Sequence, residues 1–231
     1  MKIIWLGHGS FRIEVGDQVL LVDPWLVGNP MFPEDRRAEA IDGTTHILLT
    51  HGHGDHASNA EAIARETGAP ILCIHELSQI LGAIDGIEAM GMGKGGTVAL
   101  GTVAATMVNA VHSSSVDFAG NGPVYAGGEA GFMITGEGHT IYVSGDTDVM
   151  ADMKVFNDLH APDIGILCAG GHYTMDMKRA AYAAKTFFDF KMVIPCHYRT
   201  FPLLAQSAQE LIDALPGVNV IEPQVLTAIE L

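Results

Sequence analysis

Apolar residues recur along this chain in short bursts rather than in long helical repeats. Residues 3–6, 10–15 and 18–22 carry the alternation of short strands, and Gly16-Asp17 reads as the turn between the second and third, so the chain opens as a meander. Residues 46–50 form a run that predicts a buried strand. Residues 55–67 predict a helix, 71–74 another strand and 76–84 a second helix. A glycine-rich stretch, 91–96, separates these from strands at 97–100 and 102–111, and the long irregular stretch 113–128 reads as a pocket wall. Strands at 130–135 and 140–144, a helix at 150–159 and a strand at 163–167 then repeat the scheme. Thr174 is the expected N-cap of an alanine-rich helix through Phe188, with Asp176 in its first turn. A strand at 191–195, a helix at 203–215 and short strands at 218–221 and 225–229 complete the chain. The reading is one domain over residues 1–231, made of two similar halves that each combine sheet and helices.

Composition narrows the class. A chain of 231 residues with 48% hydrophobic residues is long enough to bury one large core. Twelve basic against 27 acidic residues give a formal charge of −15, which argues against a nucleic-acid partner, because nonspecific affinity for phosphate backbones comes from clustered Lys and Arg. Arg36-Arg37 and Lys178-Arg179 are the adjacent basic pairs and read as solvated faces. Cys73, Cys168 and Cys196 are few, odd in number and set among apolar residues, which fits a reducing compartment, and the cytoplasm is the expected location. No run approaches the roughly 18 apolar residues that span a membrane. The apolar loop around Trp25-Leu26-Val27 and Met31-Phe32 reads as a pocket lid or as an interface between copies of the chain.

The chemistry is concentrated in Thr50-His51-Gly52-His53-Gly54-Asp55-His56, directly after an apolar run. Imidazole and carboxylate suit zinc, manganese or iron, and the glycines let neighbouring side chains converge. His51 and His53 can point the same way from extended backbone, whereas Asp55 and His56 stand where the chain turns into a helix, so the two pairs should face two different metal centres.

This motif, His-x-His-x-Asp-His, resembles the signature of the metallo-β-lactamase superfamily. The later ligand positions follow in order: His112 in Val111-His112-Ser113-Ser114, Asp146 in Gly145-Asp146-Thr147 and His197 in Pro195-Cys196-His197-Tyr198, each at or just past the end of an apolar strand-like run. Leu6-Gly7-His8-Gly9-Ser10-Phe11, Asp23-Pro24-Trp25-Leu26-Val27-Gly28-Asn29-Pro30 and Tyr173-Thr174-Met175 are similar to a group of metal-dependent hydrolases near the ascorbate-6-phosphate lactonase branch. The resemblance covers almost the whole chain. It departs at Gly170-Gly171-His172-Tyr173-Thr174-Met175-Asp176-Met177, where that group carries an amide and a glycine in place of His172 and Asp176.

The resemblance implies an α/β fold, a four-layer αββα sandwich. It assigns His51, His53 and His112 to a first metal and Asp55, His56 and His197 to a second, with Asp146 between them. Two divalent ions, zinc first and manganese or iron as alternatives, would supply a bridging hydroxide to cleave a small-molecule ester, lactone or phosphodiester. Asp55 or His172 is the expected proton carrier. His8 reads either as a pocket residue or as a turn histidine, and Asp23 either as the partner of a ligand histidine or as a turn cap. The competing function is a metal-binding or ligand-sensing module without turnover. A redox di-iron enzyme and an RNA-processing nuclease fit less well, the first for want of a flavin-binding region and a carboxylate at His53, the second for want of a basic arm.

Overall fold

The structure is a computed structural model and describes residues 1–118, 120 and 122–231. Strands β1 (Lys2–Gly7), β2 (Ser10–Val15) and β3 (Gln18–Val22) form the expected antiparallel meander. A loop, a short 3-10 turn and α1 (Arg37–Ile41) lead to β4 (His46–Leu48), which pairs in parallel with β3. Next come α2 (Gly54–Ala57), α3 (Ala60–Thr67), β5 (Ile71–Ile74), α4 (His75–Gly82) and β6 (Ala89–Met92). The second half runs through β7 (Thr97–Leu100), β8 (Val103–Asn109), a hairpin of β9 (Ser115–Val116) and β10 (Val124–Tyr125), then β11 (Ala130–Gly136) and β12 (His139–Val143). It closes with α5 (Asp152–His160), β13 (Ile164–Cys168), α6 (Met177–Phe187), β14 (Met192–Cys196), α7 (Gln209–Ala214), β15 (Asn219–Val220) and β16 (Ala228–Glu230).

Two seven-stranded sheets result, in the orders β16-β1-β2-β3-β4-β5-β6 and β15-β14-β13-β12-β11-β8-β7. Each changes from antiparallel to parallel pairing partway across, at β3–β4 in one and β12–β13 in the other. The parallel strands β5 and β13 are buried at every position, as strands covered on both faces must be. Buried apolar side chains from both sheets form one contiguous cluster, the core of the αββα sandwich. The three cysteines are free and buried. Among the described residues no helix is long and apolar enough to cross a membrane.

Four local expectations change. The helix at 55–67 is two helices, because Asn59 turns its side chain away from the helix to accept hydrogen bonds from the backbone N–H groups of Leu26 and Val27, at 2.7 and 2.6 Å. Asp176 rather than Thr174 caps α6, accepting from the Arg179 N–H at 2.7 Å. The glycine-rich separator begins as β6, an edge strand paired with β5. The helix at 203–215 starts only at Gln209, since the preceding backbone bonds to the loops of the site: Ala205 N–H donates to Gly170 O at 2.9 Å. Of the stretch 113–128, Ala119 and Asn121 lie outside the described residues.

The strands β1, β3, β4, β8, β12 and β14 share one direction within their sheets and end at the same rim. Ala130 N–H donates to Thr50 O and His197 N–H to His8 O, both at 2.9 Å, and these bonds join the two sheets there. Loops leaving carboxyl ends of strands at such a junction are where open sheets build ligand sites.

Candidate metal centre

His51 leaves β4 and is fully buried. Its Nδ1 lies 3.0 Å from Thr50 Oγ1 and its Nε2 lies 3.1 Å from His53 Nδ1. His112, arriving from β8, completes a set of three imidazoles whose ligand atoms lie within 4.8 Å of one another. A second set gathers Asp55 and His56 from α2, His197 from the end of β14, and His8 from the end of β1. Asp146, just past β12, is 4% exposed and stands between the sets. Its Oδ2 lies 3.1 Å from His197 Nε2, 3.4 Å from His56 Nε2 and 3.6 Å from His112 Nε2. All seven residues read as ligands from the sequence therefore come together. His172 does not join them: it is exposed, with its ring edge-on to Tyr173 at 4.5 Å, and Tyr173 rather than His172 lines the cavity.

The donor geometry fits metal ions. Two donors on a tetrahedral ion with bonds near 2.05 Å stand about 3.3 Å apart, close to the separations at Asp146 and between His51 and His53. His56 gives the sharper test. Its Nδ1 lies 2.9 Å from Asp23 Oδ2, which also accepts from Thr50 Oγ1 at 2.6 Å, and Asp23 Oδ1 accepts from Thr50 N–H at 2.8 Å. The Asp23 carboxylate thus fixes the ring with Nδ1 protonated. Nε2 is left buried and without a hydrogen bond among the described residues, facing Asp146. A bare, buried nitrogen lone pair aimed at a carboxylate needs a cation.

Electrostatics point the same way. Burial disfavours a charged His56, yet Asp146, Asp55 and Asp23 around it raise its pKa well above the ordinary value. Burial opposes a charged His197 too, and Asp146 outweighs it, raising His197 to about 9. Asp55 and Asp146 are held well below the usual carboxylate range, because the charges and hydrogen bonds of these imidazoles overcome the effect of burial. The centre is a negative cluster that draws positive charge, and protons or metal ions compete to supply it.

His8 resolves into neither expected role. It is fully buried, with Nδ1 2.8 Å from Thr200 Oγ1 and Nε2 3.0 Å from Asp55 Oδ2. Both nitrogens are thereby engaged, so His8 holds the Asp55 carboxylate rather than a metal. Burial, with nearby His197, lowers its pKa to about 4, which keeps it neutral near pH 7. Asp55 itself is held ionised, with His8, His56 and His197 beside it.

The glycines of the turn are needed for close approach. A Cβ on Gly52 would stand 2.9 Å from Ala126 Cβ and 3.1 Å from Ser115 O, where the β9–β10 hairpin covers the turn. A Cβ on Gly9 would stand 2.8 Å from His56 Cε1. We expect Gly9→Ala to push the His56 ring off Asp23 and to lower metal affinity by about tenfold or more, read as metal content after dialysis, while circular dichroism stays unchanged. Asp23→Asn should weaken metal binding about 10- to 100-fold by freeing the ring and its tautomer. Unaltered metal retention in Asp23→Asn would refute that role.

A cavity of about 510 Å³ opens above the cluster, floored by His53, Asp55, His112, Asp146 and His197 and walled by Trp25, Ser113, Asp117, Tyr173 and Phe201. Phe201 and Thr200 carried no signal in the sequence, because they follow His197 in an irregular loop. Trp25 stood out there only as part of an apolar loop.

The family model described as beta-lactamase superfamily domain matches residues 2–197. A UPF0173 metal-dependent hydrolase of Dinoroseobacter shibae is 68% identical over 231 residues, covering 100% of both chains, and one of Paracoccus denitrificans is 64% identical over 232 residues, again covering 100% of both. Among solved structures, the metallo hydrolase Igni18 of Ignicoccus hospitalis superposes with a TM-score of 0.84 at 31% identity, covering 100% of this chain and 98% of that one. A possible metal-dependent hydrolase from Veillonella parvula has a TM-score of 0.79 at 16% identity, over 100% and 99% of the two chains, and so shares the fold. The two-sheet sandwich, the His-rich turn at its rim and these full-length likenesses agree, and the chain belongs to the beta-lactamase superfamily, among its UPF0173 metal-dependent hydrolases.

Proposed function

We propose that this hydrolase works with two divalent ions on a small-molecule ester, lactone or phosphodiester. The observation that carries the reading is the position of Asp146 Oδ2, within 3.6 Å of His112 from one ligand set and within 3.4 Å of His56 and His197 from the other. His51, His53 and His112 would hold one ion, and Asp55, His56 and His197 the other. The chemistry that such ions would supply there is a hydroxide-like water near neutral pH and polarisation of the bond to be cleaved.

The chain's own residues hold that arrangement in place. Asp146 offsets the repulsion between two dications, Asp23 orients His56, and His8 orients Asp55. The β9–β10 hairpin packs on the His-rich turn, where Gly52 N–H donates to Ser114 Oγ at 3.2 Å and Gly54 N–H to Asp117 Oδ1 at 3.0 Å, and so keeps the ligand backbone fixed. Among the described residues no Ser, Thr or Cys stands on the cavity floor, which favours water for that part. His-rich ligation favours zinc over manganese or iron.

The test is hydrolysis of ester, lactone and phosphodiester probes by protein reconstituted with zinc or with manganese, its metal content measured in the same sample. Turnover that follows occupancy of the second ion supports the reading. Full turnover with one ion per chain, or none with two, would overturn it, the latter in favour of a ligand-sensing module.

A further inference from the structure

The wall of the cavity, away from the ligand cluster, is aromatic and lacks cations. Trp25, Tyr173 and Phe201 form it with Ser113 and Asp117, and among the described residues no Lys or Arg lines it. The rings of Trp25 and Phe201 lie 6.2 Å apart at 33°, and the buried His8 ring stands edge-on to both, at 5.3 and 5.7 Å.

Each support of this pair is itself fixed. His8 is held between Thr200 and Asp55. Trp25 N–H donates to Ser10 Oγ at 3.0 Å, and the next two N–H groups donate to Asn59. The aromatic face is therefore set in place relative to Asp55 and His197 before anything binds, and a ligand meets little ordering cost there.

That wall disfavours anionic groups. A phosphate or carboxylate remote from the reacting bond would lose water against apolar rings and face Asp117 without an Arg or Lys to receive it. Asp117 accepts from Gly54 N–H through Oδ1 and adds a further negative charge to this wall, which opposes an anion. A flat, uncharged group gains both apolar burial and ring contacts.

We propose that the substrate carries no anionic group beyond the bond that is cleaved and presents a flat apolar group, such as an aryl ring, to Trp25, Tyr173 and Phe201. This rests on the hydrolase reading above and deepens it. It counts against a phosphorylated sugar lactone.

The experiment is calorimetric titration of the zinc-loaded protein with two unreactive amides, acetanilide and 4-acetamidobenzoate. Acetanilide should bind at least about tenfold more tightly than its carboxylate relative. Trp25→Ala and Phe201→Ala should each weaken it about threefold to tenfold with metal content retained. Tyr173→Ala, at a ring 55% exposed, tests the same face without endangering the fold. Equal or tighter binding of 4-acetamidobenzoate, or no measurable binding of either amide, overturns the proposal.

Phenyl acetate and 4-acetoxybenzoate run as substrates separate the two readings. Selective acetanilide binding without hydrolysis would sink the hydrolase and leave the aromatic site standing. Hydrolysis of both esters at equal kcat/KM would do the reverse.

Discussion

Replacing Asp146 with alanine is expected to abolish turnover, by a factor on the order of 10³ or more, and to reduce bound metal from two ions toward one or none. Its carboxylate reaches both candidate ligand sets, with Oδ2 3.1 Å from His197 Nε2 and 3.6 Å from His112 Nε2. Its removal leaves the buried imidazoles of His56 and His197 without their main negative partner and, in the proposed two-ion centre, would leave the dications unscreened from each other. Asp146→Asn separates these effects from shape, since the amide fills the same space without the charge. Metal analysis and kcat/KM on both variants decide the matter. An Asp146→Ala protein that keeps two ions and full turnover would dismiss the bridging role.

Stripping the metal with a chelator is expected to lower Tm by about 10 °C at pH 8 and by clearly less at pH 6. Ions present at about a thousandfold over their Kd add about 4 kcal/mol to the folded state, and in a chain of this length each kcal/mol is worth about 2–4 °C. The pH dependence follows from the histidines. His56 and His197 have folded pKa values above the ordinary 6.5, His197 at about 9, so in the metal-free chain their contribution is complete below pH 6.5 and is lost as pH climbs toward 9. His8, lowered to about 4, and His51, also lowered, act in the opposite sense, and stability is lost as pH falls below 6.5. The metal-free protein should therefore be most stable near pH 6.5. Metal ions replace the protons of His56 and His197 and preserve the folded state at higher pH. Thermal melts of both forms across pH 5–9 provide the check. A loss on chelation that is the same at pH 6 and pH 8 would contradict this account.

Much of the centre was legible before folding because its densest part is local. His51, His53, Asp55 and His56 lie within six residues and follow an apolar run, and the remaining ligands each follow a strand whose buried character is visible in two to five residues. The meander β1–β3 was legible for the same reason, since alternation and the Gly16-Asp17 turn fix its register, Val15 against Gln18.

Other features have no local signature. Asn59 breaks a helical pattern to hold a loop more than 30 residues earlier. Asp176 displaces Thr174 as the cap because the Gly170–Gly171 turn, and not the α6 sequence, sets where that helix begins. His8 and Asp55 meet across 47 positions, and His8 and Thr200 across 192.

The sequence by itself determined which His and Asp residues were candidates to gather at one rim, which strands deliver them and which superfamily the chain resembles, because these depend on spacing and periodicity within a few residues. Only the tertiary structure decided that His8 serves Asp55, that Asp23 serves His56, that His172 stays outside, and that Trp25 and Phe201 share a wall. These are contacts between segments distant in the chain. They are selected by how two sheets pack and where their loops converge, and no local pattern encodes that convergence.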